Sequence, residues 1–127
     1  MLCLLVVPAL QAMEMPKVIT MDDAKGKTEN PVYTPVDMPH QQHLASGIKC
    51  EDCHHKWEDR SEPPKRCIDS GCHDVLGAEG KEMNKVEAAY NAHHNQKSEH
   101  SCIGCHQSRK KAGKKAGPVP CQKCHEK

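Results

Sequence analysis

Apolar residues are unevenly spaced along this chain, and few stretches show the period of a helix or a strand. Residues 81–96 predict a helix, because Met83, Val86 and Tyr90 can share one face and no glycine or proline interrupts the segment. Residues 13–39 contain four prolines and predict extended or looped structure. A short two-stranded ribbon, residues 18–20 with residues 32–33, is expected there.

The N-terminal segment differs in composition from everything after it. Residues 1–12 are uncharged and aliphatic, and the run is too short to span a bilayer. It fits the apolar part of a secretory signal, with the small residue Ala12 before a cleavage site; a buried N-terminal helix or strand is the alternative. We therefore expect a signal-peptide remnant at residues 1–12, one domain at residues 13–127, and a periplasmic location.

The composition is poor in the residues that build a protein core. The chain has 127 residues, of which 36% are hydrophobic, with no Phe, one Trp and two Tyr. It has 9 Cys and 10 His, and small chains with weak cores often rely on disulfides, metals or cofactors. The formal net charge of +1 does not indicate a nucleic-acid-binding protein.

Eight of the cysteines form four pairs, and a histidine follows the second cysteine of every pair. Motifs 1, 3 and 4 place two residues between the sulfurs, whereas motif 2 places four. In order, the motifs are Cys50-Glu-Asp-Cys53-His54, Cys67-Ile-Asp-Ser-Gly-Cys72-His73, Cys102-Ile-Gly-Cys105-His106 and Cys121-Gln-Lys-Cys124-His125.

The histidine in every motif indicates covalent attachment of c-type haem. Zinc sites of four cysteines, a redox dithiol or a disulfide scaffold would not require it. Cysteines three apart share a helical face, so both sulfurs can add to the porphyrin vinyl groups while the next histidine binds the iron. In motif 2, the four residues between the cysteines must bulge so that the two sulfurs reach the same spacing as in the other motifs. Four haems would also supply the apolar surface that the side chains lack.

Six histidines lie outside the motif positions, which is more than enough for a second histidine on each of four irons: His40, His43, His55, His93, His94 and His100. Two histidines per iron favour low potentials, since methionine ligation raises them. They also leave no open site for a substrate, which favours a carrier over an enzyme. Periodicity alone leaves His93 and His94 open as alternatives, and His100 is expected in a solvated loop.

The order and spacing of these elements over residues 30–127 resemble the class III tetrahaem cytochromes c, the cytochrome c-three type, of sulfate-reducing anaerobes. The resemblance rests on His40-Gln-Gln-His43, Cys50-Glu-Asp-Cys53-His54-His55, the longer motif 2 and a Tyr-containing stretch with a His before Cys102. It implies a small, mainly α fold with extensive loops and a core of four covalently bound haems. The implied axial pairs are His40 with His54, His55 with His73, His43 with His106, and His94 with His125.

The charge distribution suggests where a partner would bind. Residues 50–106 have 7 Lys and Arg against 11 Asp and Glu, whereas residues 107–127 have 7 against 1. A solvated loop is the alternative reading, but motif 4 lies within this basic segment. The resemblance implies docking of a periplasmic hydrogenase near haem 4, beside Lys110, Lys111, Lys114, Lys115 and Lys123.

The sequence thus predicts a low-potential periplasmic electron carrier of sulfate respiration that takes electrons from a hydrogenase-like donor. Membrane-bound or multihaem redox complexes are the expected acceptors. Reduction should couple to proton uptake, because added electrons raise the pKa of nearby acids. The alternatives are a multihaem reductase with one open iron and a zinc-binding interaction module.

Overall fold

The computed structural model describes residues 15–22 and 34–125. Regular structure within these ranges is sparse, and loops connect short elements. The strands and α-helices are β1 (Ile19–Met21), β2 (Val36–Met38), α1 (His40–Ala45), α2 (Cys50–Cys53), α3 (Ala89–His94) and α4 (Cys102–Lys111). Two 3₁₀ helices cover Gly80–Asn84 and Cys121–Lys123. The small, loop-rich fold class expected from the sequence is confirmed.

The two strands form an antiparallel ribbon close to the N-terminus. Ile19 pairs with Met38 and Met21 with Val36, so the partner of the first strand is residues 36–38. The expected partner, residues 32–33, lies outside the described residues. The Thr20 hydroxyl donates to Asp37 across the ribbon at 2.6 Å. The ribbon was therefore predicted correctly, and its second strand in the described part of the chain is residues 36–38.

The single helix expected over residues 81–96 is wrong, because the structure divides this segment into two. Gly80–Asn84 is a 3₁₀ helix and α3 begins only at Ala89. Between them the backbone pairs with the chain after motif 2: Val75 N–H donates to Glu87 O, and Ala89 N–H donates to Val75 O, both at 3.0 Å. These bonds hold the backbone extended, so tertiary pairing overrides helix propensity here.

The packing leaves very few side chains inside. Four of the described residues are buried, and they are small: Ala88, Ala89, Ser101 and Gly104. No large side chain among the described residues is fully enclosed, and Val86 remains 70% exposed. A chain of this length normally buries a substantial apolar core. The polypeptide alone therefore does not supply the interior that would hold these loops in place.

The described ranges contain no helix that is both long and apolar enough to cross a bilayer. The expected signal-peptide remnant at residues 1–12 lies outside the described residues, so the boundary between it and the domain at residues 13–127 stays a prediction.

Removing the haems should unfold the chain, because side-chain burial alone is too small to offset the conformational entropy of ordering the loops. We expect far-ultraviolet circular dichroism of haem-free protein to show little of the helix signal of the haem-loaded protein in the same buffer. Native helix content in the haem-free chain would contradict this view of the core.

Candidate haem-binding site

Three of the motifs close with the same backbone hydrogen bond. The N–H of the motif histidine donates to the carbonyl of the first cysteine: His54 to Cys50 at 2.8 Å, His125 to Cys121 at 2.8 Å and His73 to Cys67 at 2.9 Å. In motif 2 this bond spans six residues instead of four. The longer loop therefore bulges outwards while the ends of the motif keep the arrangement seen in the shorter motifs.

The bulge of motif 2 is held by its own polar residues. The Asp69 carboxylate accepts from Arg66 N–H at 2.8 Å, and this bond lowers the pKa of Asp69. Gly71 adopts φ +81°, in the left-handed region that glycine occupies without strain. The chain turns at Arg66–Asp69 and again at Gly71, which allows His73 N–H to reach Cys67 O.

Motif 3 lies in the first turns of α4 and is tied to α3. The buried Ser101 hydroxyl accepts from Gly104 N–H at 3.0 Å, which caps the helix, and donates to Asn95 O at 2.5 Å. A Cβ on Gly104 would come within 2.7 Å of Asn95 O and closer still to Ser98 O. The glycine between the cysteines thus allows the helix that carries His106 to pack against the end of α3.

The cysteines of the four motifs converge. Within the described ranges, no disulfide bond joins any of the eight motif cysteines. Burial, followed by the neighbouring thiols of Cys102 and Cys67, raises the pKa of Cys53 to about 11. Burial and the neighbouring Cys102 also raise the pKa of Cys124. Groups attached to the four motifs would therefore share one interior.

Every motif histidine presents the same ring nitrogen to a backbone carbonyl. Because a carbonyl can only accept, Nδ1 must carry the proton, and the Nε2 lone pair is left for a metal. The four Nδ1–H groups donate to Lys65 O (His54, 3.0 Å), Val86 O (His73), Pro118 O (His106, 2.7 Å) and Thr34 O (His125, 2.9 Å). All four acceptors lie on other loops, so the loops orient the imidazoles.

Three of the four other expected ligands have the same arrangement. His40 donates from Nδ1 to Pro16 O at 3.1 Å, His43 to Pro39 O at 2.9 Å, and His94 to Tyr90 O at 3.0 Å. His55 is the exception: among the described residues its Nδ1 has no carbonyl partner, and its ring stacks on another histidine instead. Burial lowers the pKa of His94 and so favours the neutral imidazole that coordinates metals.

Three pairs of imidazoles face each other at the separation that one metal between them requires. Two imidazoles bound on opposite sides of a metal, each about 2.0–2.1 Å away, have ring centres about 6–6.5 Å apart. The observed centre distances are 6.2 Å for His43 and His106, 6.1 Å for His55 and His73, and 6.0 Å for His94 and His125. These residues fit the expected bis-histidine haem ligation.

The fourth expected pair is not brought together in this way. The described residues show no ring contact between His40 and His54, and the edge contact of His54 is with Trp57, at 6.4 Å between ring centres. Trp57 also donates from Nε1 to Glu62 O at 2.9 Å. It therefore packs against the loop of residues 57–66.

At motif 4, His94 rather than His93 lies opposite the motif histidine, which is His125. The rings of His94 and His125 are nearly parallel, at 7°, and Tyr90 stacks on His94 with centres 4.2 Å apart. His93 meets His94 edge-on, at 81°. The arrangement favours the alternative that the sequence resemblance selected.

A cavity next to motif 2 opens to solvent and has both apolar and polar walls. Its volume is about 570 Å³, and it is lined by Val75 and Val86 together with Glu82, Asn84, Lys85 and Glu87. Val86 O accepts from His73, so the cavity adjoins one of the imidazole pairs. The exposed face of Val86 would be covered by a group bound there, which agrees with the shortage of buried side chains.

Sequence reasoning missed two residues that contact expected ligands. His100, expected in a solvated loop, is exposed but donates from Nδ1 to Asp52 O at 2.9 Å and stacks on His55. Gly117 lies against the His106 ring, and a Cβ there would come within 2.7 Å of Nε2 and closer still to Cε1. The sequence spacing carries no signal for either contact, because both join segments distant along the chain.

Replacing Gly117→Ala should displace the His106 ring and break its bond to Pro118 O. We expect a loss of about 1–3 kcal/mol in stability, typical of an overpacked site, and a high-spin, carbon-monoxide-binding fraction at one iron, read from the visible spectrum. Ala116→Gly, which changes the adjacent residue by the same methyl group, is the control. Four low-spin haems and an unchanged thermal midpoint in the Gly117 variant would show that the contact does not matter.

Comparisons with known proteins agree with this site. The sequence model described as the Class III cytochrome C family matches residues 16–125. The chain is 42% identical over 93 residues to "Cytochrome c3" of Maridesulfovibrio salexigens, which covers 73% of this chain and 79% of the relative. It is 32% identical over 116 residues to "Cytochrome c3, 26 kDa" of Desulfomicrobium norvegicum, and this match covers 91% of this chain and 98% of the relative.

The fold also matches a solved structure. The crystal structure of the di-tetraheme cytochrome c3 from Desulfovibrio gigas matches with a TM-score of 0.71 at 29% sequence identity, over 89% of this chain and 98% of that chain. The resemblance inferred from the motifs is therefore confirmed. This chain belongs to the class III cytochrome c family and is a multihaem electron-transfer protein with covalently bound c-type haem.

Proposed function

We propose that this chain is a periplasmic, low-potential electron carrier with four bis-histidine c-type haems. The observation that carries the proposal is the facing of imidazoles 6.0–6.2 Å apart, each pair containing one motif histidine. With a histidine on both sides, an iron has no position for a substrate. Electrons can then enter and leave, but no bond of a substrate is made or broken.

Each haem would be attached by one motif and held by one pair of histidines. The thioether cysteines would be Cys50 and Cys53, Cys67 and Cys72, Cys102 and Cys105, and Cys121 and Cys124. The axial pairs would be His40 with His54, His55 with His73, His43 with His106, and His94 with His125. Bound haem supplies one-electron redox chemistry, and histidine in place of methionine keeps its potential low.

The protein's own contribution is to orient the imidazoles before electrons arrive. Hydrogen bonds from Nδ1 to backbone carbonyls select the tautomer and make the ring a stronger electron donor to a metal, which favours the oxidised state and lowers the potential further. Because the acceptor carbonyls belong to the folded loops, the rings need little rearrangement when an iron changes its charge.

The rival function, a multihaem reductase with one open iron, has one observation in its favour. The rings of His40 and His54 show no mutual contact in the described part of the chain, unlike the other three expected pairs. If His40 did not bind the iron of haem 1, that iron would have an open face. Three measurements on the purified protein distinguish the rivals.

The pyridine haemochrome assay should give four haems per chain, and low-temperature electron paramagnetic resonance should show only low-spin iron. Carbon monoxide should leave the spectrum of the reduced protein unchanged. One high-spin iron that binds carbon monoxide would favour the reductase, and colourless protein containing zinc would favour an interaction module. Redox titration of the same sample should give potentials that change between about pH 6 and pH 8, where perturbed histidines and propionates titrate; constant potentials would exclude proton coupling.

We further propose that the partner binds a basic patch next to motif 4, made of Lys110, Lys111, Lys114, Lys115 and Lys123. All five lysines are exposed. The Arg109 side chain donates from Nε to Lys115 O at 2.9 Å and so folds the loop back towards the end of α4. This bond, with that from Lys114 N–H to Arg109 O at 2.9 Å, holds the two loop lysines close to those at the end of α4, where they would attract an acidic partner such as a periplasmic hydrogenase. Lys123 is included because it lies within motif 4.

The lysines at the end of α4 also have a purely local role, since cations there offset the helix dipole. A test of docking should therefore use lysines outside the helix. The double variant Lys114→Glu, Lys115→Glu should slow electron exchange with a periplasmic hydrogenase by at least about tenfold at low salt and weaken its salt dependence. The measurement is stopped-flow reduction over a range of ionic strength.

The matched control reverses the same number of charges away from the patch, at Lys81 and Lys97, which are also exposed. It should change the exchange rate much less. Equal effects of the two double variants would mean that net charge, and not the basic patch, controls the encounter.

A further inference from the structure

The three facing pairs of imidazoles differ in the angle between their planes. The rings of His43 and His106 meet at 18°, and those of His94 and His125 at 7°. The rings of His55 and His73 are tilted by 48°. One of the expected haem sites therefore holds its two ligands in a markedly different relative orientation.

His55 is also the ligand without a backbone anchor. The other seven expected ligands donate from Nδ1 to a carbonyl, and that bond sets the ring plane. Among the described residues, the plane of His55 has no such constraint. Some other contact must select it from the orientations that rotation about the side-chain bonds allows.

The contact that His55 does make is with His100. The two rings stack with centres 4.8 Å apart and planes 19° from parallel. His100 is itself anchored, since its Nδ1–H donates to Asp52 O at 2.9 Å and its backbone N–H donates to the Ser98 hydroxyl at 3.3 Å. His100 is thus held by its ring and by its backbone, and its ring stacks on that of His55, whose plane has no hydrogen-bond anchor among the described residues.

We propose that His100 is a positioning residue for haem 2, which fixes the plane of His55 at a large angle to that of His73. This inference rests on the proposed function, because it requires that His55 and His73 bind one iron. His100 connects three motifs: it is anchored on α2 of motif 1, stacks on a ligand of haem 2 and lies two residues before Cys102 of motif 3.

The angle between axial imidazole planes has a direct electronic consequence. Each imidazole donates π density to the iron orbital perpendicular to its plane. Iron has two d orbitals of this kind. Parallel rings act on the same one and make the energies of the two orbitals differ strongly, whereas crossed rings act on both and make the energies differ only weakly. A smaller energy difference raises the largest g value of low-spin ferric iron. Haem 2 should therefore have the largest such value among the three sites whose ring pairs are seen facing each other.

The experiment compares low-temperature electron paramagnetic resonance spectra of the haem-loaded wild-type chain with those of three variants. His100→Ala and His100→Gln both remove the ring. Gln keeps a polar side chain, which suits this solvent-exposed position. His100→Phe keeps an aromatic ring to stack but loses the bond to Asp52. Lys97→Ala, in the same loop, is the control.

We expect the ringless variants to lose the one shifted g feature, which should move towards those of the near-parallel pairs, while Lys97→Ala retains it. His100→Phe should restore most of the shift, because stacking is what holds His55. Conversion of a single iron to high spin in the ringless variants alone would also support the proposal, since unrestrained His55 would then have left the iron.

Wild-type spectra in both ringless variants would overturn the inference, as would an equal change at all four haems. If His100→Phe matched the ringless variants, the hydrogen bond to Asp52 and not the stack would be decisive, and the proposal as stated would fail. A wild-type protein without four low-spin haems would instead overturn the proposed function, so the two failures can be told apart.

Discussion

The structure depends on one recurrent interaction, the hydrogen bond from a histidine Nδ1–H to a backbone carbonyl. It occurs at seven of the eight expected haem ligands, and for the motif histidines the carbonyl lies eleven or more residues away in the chain. Each bond does two things at once. It leaves Nε2 unprotonated for a metal, and it anchors the ring. At the motif histidines the anchor is a distant loop, as His125 is joined to Thr34, whereas at His43 and His94 it is the carbonyl four residues before. At the motifs, the same hydrogen bonds therefore set both the orientation of the ligands and the positions of the loops.

This constraint explains why a chain with so few buried side chains can still have a defined fold. The described residues bury two alanines, one serine and one glycine, so loop positions cannot be set by conventional core packing. Polar contacts take over that role near the motifs. The Ser101 hydroxyl joins α4 to the end of α3, and the backbone at Gly117 lies so close to the His106 ring that a Cβ there would clash with it. Small residues occur where the backbone must approach an imidazole or another backbone segment closely.

The same arrangement agrees with the proposed role as an electron carrier. His54 and His55 are adjacent in sequence, yet His54 is anchored on Lys65 O while His55 faces His73. If both bind iron as proposed, these neighbouring residues serve different haem sites, which would bring those sites close together and favour transfer between them. The differing plane angles of the ring pairs, 7°, 18° and 48°, make the sites inequivalent. Haems held at such sites would have distinct electronic properties within one small domain.

The sequence by itself determined the four motifs, the class of cofactor, the family and the loop-rich fold, because covalent attachment requires particular residues at fixed local spacing. Periodicity left His93 and His94 open as alternatives, and only the family resemblance selected His94. Only the tertiary structure decided the break of the expected helix near Val86, the strand that pairs with β1 and the stacking of His100 on His55. These features arise from contacts between segments far apart in the chain. Local spacing carries no information about such contacts, since they form only when the loops close together.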